Sequence, residues 1–438
     1  MRTRVFGSAA VAAGLVCLLL APAPARAQGE TWVGGNLQQM VESARWRLGE
    51  MRVNAAFTLA NVGYDSDIYY GFLAERVPDA KASAAVPVQV LLPLSKKAVL
   101  DVSESPEYVF YLETERDRSW NNRLYGRLHL ALDRVYLQAG GGLSNVKTRL
   151  SPELDLNIRL RTTALNGLAL WQASRMTSLA LLYGGVQYDY GDAEFEGVSL
   201  ADRLNRNEEF VDLISYVQPS PRLRLSLDGQ YGTYEFRRVA LGLRDAESFA
   251  FFAGVEFIPG ERDFQLLRGF RGTASLGYMR LDMRDPLLRD GSGIVGSASV
   301  TARLSRRMTG ELLFSRGFQF SIFSGSSFFL ETLAGATVTR HLTKRASLSY
   351  RFLYGQTSYP DLDGEPGTTA GRAYQYLTHG LNLDILLARH LSMSLFGTFG
   401  QRDQGGGIPI RSRFFVGFGL VYGFRGTAMS TPTRGGSM

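Results

Sequence analysis

The feature that most constrains this chain is an alternation of side-chain type kept up over runs longer than ten residues. In "FFVGFGLVYGF", one set of alternate residues is Phe414, Val416, Phe418, Leu420, Tyr422 and Phe424, all large and apolar. The other set is Phe415, Gly417, Gly419, Val421 and Gly423, mostly small. Successive side chains of a strand point to opposite faces, so this is strand periodicity. The pattern recurs. In "NRLYGRLHLALD", Leu124, Gly126, Leu128, Leu130 and Leu132 alternate with Arg123, Tyr125, Arg127 and His129. In "ELDLNIRLRTTALNGLALW", Leu154, Leu156, Ile158, Leu160 and Leu168 alternate with Asp155, Asn157, Arg159, Arg161 and Thr163. Strands of globular proteins usually run about five to six residues. Longer runs, apolar on one side and polar or small on the other, mark a transmembrane barrel.

The connections carry a second regularity. Short turns with a basic or small polar cluster, such as "VQPSPRLRL", "TRHLTKRAS" and "LLARHLSMS", separate the runs on one side. Longer polar stretches, such as "YDYGDAEFEGVSLADRLNRNEE" and "SYPDLDGEPGTTAGRAY", separate them on the other. Outer-membrane barrels alternate tight periplasmic turns with long extracellular loops in this way. Counting runs predicts an all-β, antiparallel transmembrane barrel of about 18 strands, with 16 as the alternative. The hydrocarbon core offers no water to unpaired backbone groups, each of which costs several kcal/mol, so the strands must close on themselves.

The ends of the chain read differently. A basic start, the apolar stretch "VFGSAAVAAGLVCLLL" and the small residues Ala25 and Ala27 predict a secretory signal peptide over 1–27, cut after Ala27. Residues 28–49 are expected to form a periplasmic N-terminal segment, 50–424 the barrel, and 425–438 a disordered tail rich in Gly, Ser, Thr and Pro. The only cysteine, Cys17, lies in the leader, so no disulfide framework is expected although the chain is exported. The formal charge of +7 falls by the three leader arginines. The remainder is weak and scattered, unlike the clustered basic face of a nucleic-acid binder. No run beyond the leader reaches the length of a membrane helix.

In a barrel, charges must face inward, because Lys or Arg on the lipid face at mid-membrane costs about 2–4 kcal/mol. The candidate lumen residues are therefore Arg123, Arg127, Arg159, Arg161, Arg224, Arg271, Arg303, Arg351 and Arg413, joined by Tyr125, Tyr136 and Tyr376. Acids such as Asp228, Glu256, Glu311 and Asp384 could equally pair with them to fill the lumen. Arg316 and Asp212 fall on the apolar face and fit badly. Tyr108, Tyr188, Tyr190, Tyr234, Tyr278, Tyr354, Tyr374 and Tyr376 suit an interfacial girdle. The paired acids Asp65 with Asp67 and Asp361 with Asp363 read as solvated loop residues, calcium being the sharper reading. The four histidines, His129, His341, His379 and His390, lack metal spacing, and no nucleophile elbow is present. Neither an enzyme nor a cofactor or metal is expected.

Gly419, Tyr422 and Phe424 form a glycine-x-x-aromatic-x-aromatic pattern that resembles the C-terminal signal read by the barrel-assembly machinery. Together with "RWRLGEMRVNAAFTLANVGYDSDIYYG" near the N-terminus, and above all its "GYDSDIY" turn, the chain resembles the second of the beta-barrel porin families. These occur in exopolysaccharide loci of Gram-negative bacteria such as myxobacteria. The resemblance implies a polysaccharide-export barrel in the outer membrane, fed by a periplasmic polysaccharide-export protein that lacks its own span. A passive diffusion porin or a structural barrel is the other class the residues allow.

Overall fold

The computed structural model describes residues 34–69, 76–148, 153, 157–191, 194–195, 198–237, 244–258, 270–322, 326–359, 374–403 and 410–423. The leader, the C-terminal tail, Phe424, Asp155, Asp361 and Asp363 lie outside them. Eighteen strands form one closed antiparallel barrel. They are β1 (Met51–Asp65), β2 (Asp79–Ala85 and Val88–Ser95), β3 (Ala98–Glu104 and Glu107–Tyr111), β4 (Ser119–Ala131), β5 (Val135–Thr148) and β6 (Ile158–Gln172). They continue with β7 (Thr177–Tyr190), β8 (Arg206–Ser220), β9 (Leu223–Phe236), β10 (Ala246–Phe257), β11 (Phe270–Met283) and β12 (Gly291–Ser305). The ring ends with β13 (Met308–Phe320), β14 (Phe328–His341), β15 (Ala346–Ser358), β16 (Gln375–Ala388), β17 (Leu391–Asp403) and β18 (Arg411–Gly423). Each pairs with its sequence neighbour, and β18 closes on β1 through pairs such as Phe57 with Tyr422 and Asp65 with Phe415.

Two strands are broken, and proline explains both breaks. Pro87 and Pro106 sit in the gaps of β2 and β3, where a residue without an N–H can interrupt a ladder. Their carbonyls still serve, accepting from the amides of Ala56 and Val86. β1 carries a bulge between Ala60 and Gly63, with Asn61 in the left-handed region at φ 53. The bulge resets the inward parity from Ala56 and Thr58 to Gly63 and Asp65.

The outward row is apolar, as the alternation requires. Phe57, Leu213, Phe251, Leu276, Ile294, Leu312, Leu381 and Val416 are all exposed, with nothing but lipid to cover them. The "FFVGFGLVYGF" stretch behaves as expected. Phe414, Val416, Phe418 and Tyr422 stand outside, and Gly417 lies inside with the Phe415 ring close against it. Glycine on the inner row leaves room for aromatic rings lying flat on the wall. The Tyr125 ring covers Gly142, and the Tyr376 ring covers Gly355, so that a Cβ at either glycine would overlap it.

One ladder splits. β12 and β13 pair only from Gly296 and Arg316 downward, whereas β13 and β14 stay paired up to Phe320 and Phe328. The freed tip of the β13–β14 hairpin turns into the barrel. Phe318, Phe320 and Phe328 join Tyr234, Met279, Leu281 and Val295 of β9, β11 and β12 in one buried cluster. The Phe320 ring meets Tyr234 and Phe236 edge-on, each at 5.0 Å.

Among the described residues two α-helices accompany the barrel. α1 (Gly34–Glu42) precedes β1, linked to it by a short hairpin strand Trp46–Leu48 that pairs with Met51–Val53. α2 (Leu200–Leu204) lies in the β7–β8 connection. Among the described residues no helix is long and apolar enough to cross a membrane.

Candidate functional site

The site is the lumen and its two mouths. On the wall of β1 to β4, Asn54 donates to Gln89 at 3.1 Å and Gln89 donates to Asp101 at 3.0 Å. Arg127 stands beside Asp101 in register and lies over the Tyr125 ring, 4.4 Å from its centroid. The Tyr125 hydroxyl meets Asn166 of β6. Across the ring, Arg224 pairs with Glu256 at 2.8 Å, Gln230 donates to Asp228 at 2.7 Å, and Tyr376 donates to Glu331 at 2.8 Å. This is a wall of amides, carboxylates, guanidiniums and phenols.

The seam between the first and last strands is pinned by one residue. Asp65 is fully buried. It accepts from Nε of Arg413 at 2.7 Å, from a second nitrogen of the same guanidinium, and from Lys81 at 3.0 Å. Asp67 accepts backbone N–H groups from Tyr69 and Val77. Neither acid is the solvated loop residue expected. The "GYDSDIY" turn uses both to fasten the top of β1, and among the described residues no cluster of three or more potential metal ligands occurs.

Ten of the twelve lumen candidates face the lumen. Arg123, Arg127 and Tyr125 share the inner row of β4. Tyr136 meets His129 at 2.6 Å on the same wall. Arg224 and Arg413 are ion-paired, and Tyr376 is bonded to Glu331. Arg271 and Arg303 lie on the inner row at the periplasmic ends of their strands, beside Thr301 and Thr309 respectively. Arg351 lies on the inner row opposite Thr337 and Gly380 and is exposed. The guanidiniums of Arg123 and Arg351 have no ion pair or hydrogen bond among the described residues.

Arg159 and Arg161 do not face the lumen. Ile158 and Leu160 hold the inner row, buried with Tyr188, Tyr190 and Leu200. The two arginines share the outer row with Leu165, which is 60% exposed. Arg159 donates to Asn145 at 2.9 Å and to the Trp120 carbonyl. The reason is height. A 14-residue strand rises about 46 Å along its axis, or roughly 35 Å when tilted, against an apolar band of about 25 Å. Above the band the outer face meets headgroups and water. There the alternation inverts, polar outward and apolar inward, because the loops pack inside.

The same inversion explains other departures. Five of the eight girdle tyrosines, Tyr188, Tyr190, Tyr234, Tyr374 and Tyr376, are buried on the inner side. Tyr108, Tyr278 and Tyr354 share the outer row. The upper lumen carries bulky apolar residues as well: β6 to β14 line it with two aromatic and aliphatic clusters. Asp212 belongs to the inner row, opposite Gln230, while Leu213 and Val217 take the outer one. Arg316 does lie on the outer row, at the point where the ladder splits. Its guanidinium donates to the Ile294 carbonyl at 3.1 Å and to the Thr332 hydroxyl.

The extracellular mouth is bridged. Glu153, from the β5–β6 loop, is fully buried. It accepts from the Ser321 hydroxyl at 2.7 Å, the Ile322 amide at 3.0 Å and the Tyr359 hydroxyl at 2.7 Å. Ser321 and Ile322 belong to the β13–β14 tip, on the far side of the ring from β5. Burial pushes the Glu153 carboxyl up to about 7, against the pull of its three donors and of the Arg244 charge. Arg244 in turn donates to the carbonyls of Arg203, Ser321 and Ser327. Sequence alternation gave no signal for Glu153 or Arg244, since both lie in loops.

Gly419 and Tyr422 of the expected assembly signal lie in β18, at the closing seam. Tyr422 is 56% exposed on the lipid side, opposite Phe57.

Residues 98–395 match the model of a family described as "Putative beta-barrel porin 2". No curated protein sequence matches the chain. Among solved structures it is similar to OccK2 (OpdF) of Pseudomonas aeruginosa, with a TM-score of 0.49 and 12% identity over 85% of this chain and 98% of that one. OccAB3 of Acinetobacter baumannii gives 0.48 and 12%, over 85% and 99%. A bacterial polysaccharide outer membrane secretin gives 0.39 and 8%, over 85% and 99%.

Proposed function

The chain belongs to the beta-barrel porin 2 family, and from that premise we propose that it is an outer-membrane conduit that carries a polysaccharide outward. The observation that carries this reading is the bridged outer mouth. A passive diffusion porin keeps its mouth open to small solutes. Here Glu153 ties loops from opposite walls together, which suits a channel that opens for its own cargo. An 18-strand barrel is wide enough for an aqueous path once loops withdraw. The wall below the bridge suits sugar: Arg123 and Arg351 are free to meet carboxylates, and amides and phenols can meet hydroxyls. The choice of polysaccharide rests on the family resemblance. In this reading a periplasmic polysaccharide-export protein delivers polymer to the inner mouth, and the barrel-assembly machinery inserts the chain through the β18 signal.

Deleting the gene tests the reading. Surface polysaccharide is expected to disappear while the machinery that synthesises it stays intact. Unchanged surface polysaccharide with reduced permeability to small solutes would overturn export in favour of a diffusion porin.

A further inference from the structure

The inner rows of β2, β3 and β4 share an oddity at their periplasmic ends. Each is polar higher in the barrel, through Gln89, Asp101 and Arg127, and each turns apolar at the mouth, through Leu91, Val99 and Ala131. A water-lined pore gives no reason for such a patch. Yet Leu91 is 0% exposed, Val99 3% and Ala131 4%. What covers them is α1. Its residues Leu37, Met40 and Val41 pack against the patch, together with Ala44 just beyond its end and with Tyr136 of β5 at the edge. That spacing is one face of a helix. Gln38, Gln39 and Glu42 on the other face are exposed.

We propose that α1 is a displaceable plug in the periplasmic mouth, and that the apolar patch of β2 to β4 is its seat. Its hold is apolar contact. Among the described residues, its side-chain hydrogen bonds stay within the helix region: Gln38 donates to Glu42, and Ser43 donates to the Met40 carbonyl. Polar ties to the wall begin just beyond it, where the Arg45 amide donates to Asn54 at 2.9 Å and Trp46–Leu48 pairs with Met51–Val53. The helix is also weak by itself. It has nine residues, no acid in its first turn and no base in its last. Helices shorter than about 12–15 residues are marginal in water. Off its seat, α1 melts. Seating and melting are therefore one two-state event, and anything that binds the melted segment, or competes for the seat, opens the inner mouth. The Trp46–Leu48 hairpin keeps the released segment attached. The plug acts on any solute, so the inference stands apart from the polysaccharide reading.

The test is protection of the seat. In a full-length barrel whose sole cysteine is removed by Cys17→Ala, Val99→Cys is inserted and the protein reconstituted in liposomes. A charged, membrane-impermeant thiol reagent is applied. The expected labelling is slow, and at least tenfold faster when Leu37→Asp and Val41→Asp are added to weaken seating. Heat-modifiable migration checks that the barrel remains folded in both. Fast labelling without the helix substitutions would overturn the proposal, because the seat would then be open. Equally slow labelling in both would overturn it too, because the helix would not leave. A second pair, Leu37→Cys with Ala131→Cys joined by a short bifunctional maleimide, is expected to hold conductance in planar bilayers at its lowest level. Conductance equal to that of the untreated protein carrying Leu37→Asp and Val41→Asp would count against the plug.

Discussion

Tyr359 donates its hydroxyl to Glu153 at 2.7 Å across 206 positions of sequence. The same carboxyl holds the tip of the β13–β14 hairpin, so one buried acid joins three loops over the extracellular mouth.

That acid makes the mouth sensitive to pH, with a definite sign. Burial raises the Glu153 carboxyl from an ordinary 4.5 to about 7 in the bridged state. In an opened mouth the carboxyl is solvated and returns toward its ordinary value. The bridged state then holds the extra proton between about 4.5 and 7. Bridging is favoured as pH falls through that window and weakened as pH rises through it, by on the order of 3 kcal/mol in full. Open probability in planar bilayers is expected to rise from pH 5 to pH 8. Glu153→Gln, which cannot ionise, is expected to flatten the curve. A Glu153→Gln channel with the wild-type pH profile would show that another group sets it.

The seam between β1 and β18 depends on Asp65. Removing one member of a buried, hydrogen-bonded charge cluster costs about 3–5 kcal/mol, because the partners stay buried and uncompensated. Asp65→Ala is expected to lower the temperature at which the folded band converts to the unfolded one. Asp65→Asn should lower it less. An unchanged transition in both would mean the strand ladder alone holds the seam.

Charge reversals separate the two faces of the wall. Arg123→Glu with Arg351→Glu is expected to shift the reversal potential toward cation selectivity, because both guanidiniums face the lumen with no ion pair or hydrogen bond among the described residues. Arg159→Glu with Arg161→Glu should leave selectivity unchanged, since both arginines stand outside the barrel. A selectivity change in the second pair alone would invert the assignment of faces.

Gly355 and Tyr376 form a matched pair. A methyl group at Gly355 would overlap the Tyr376 ring, and overpacking of this kind costs about 1–3 kcal/mol. Gly355→Ala is expected to destabilise the barrel in urea titrations. In a Tyr376→Ala background the same change should cost much less, a coupling typical of residues in contact. Additive effects would mean that the ring moves aside freely.

Sequence alone determined the class of fold, because closure in hydrocarbon leaves so few solutions. Period-two runs longer than ten residues, with one apolar row, admit little besides a barrel, and counting those runs supplied the strand number. It also placed most of the lumen arginines, since a charge at mid-membrane must point inward. Periodicity could not fix height. Arg159 and Arg161 look like Arg123 and Arg127 in sequence, but they lie above the apolar band, where the rule that sends charge inward no longer applies. Nor could it foresee contacts between parts of the chain that only ring closure brings together. Glu153 meets Tyr359 because β5 and β15 rise from distant parts of one ring, and α1 finds Leu91 and Val99 because the mouth curves around it. Those contacts depend on loops and on one short helix, whose positions are set by the shape of the closed barrel rather than by any repeat in the chain.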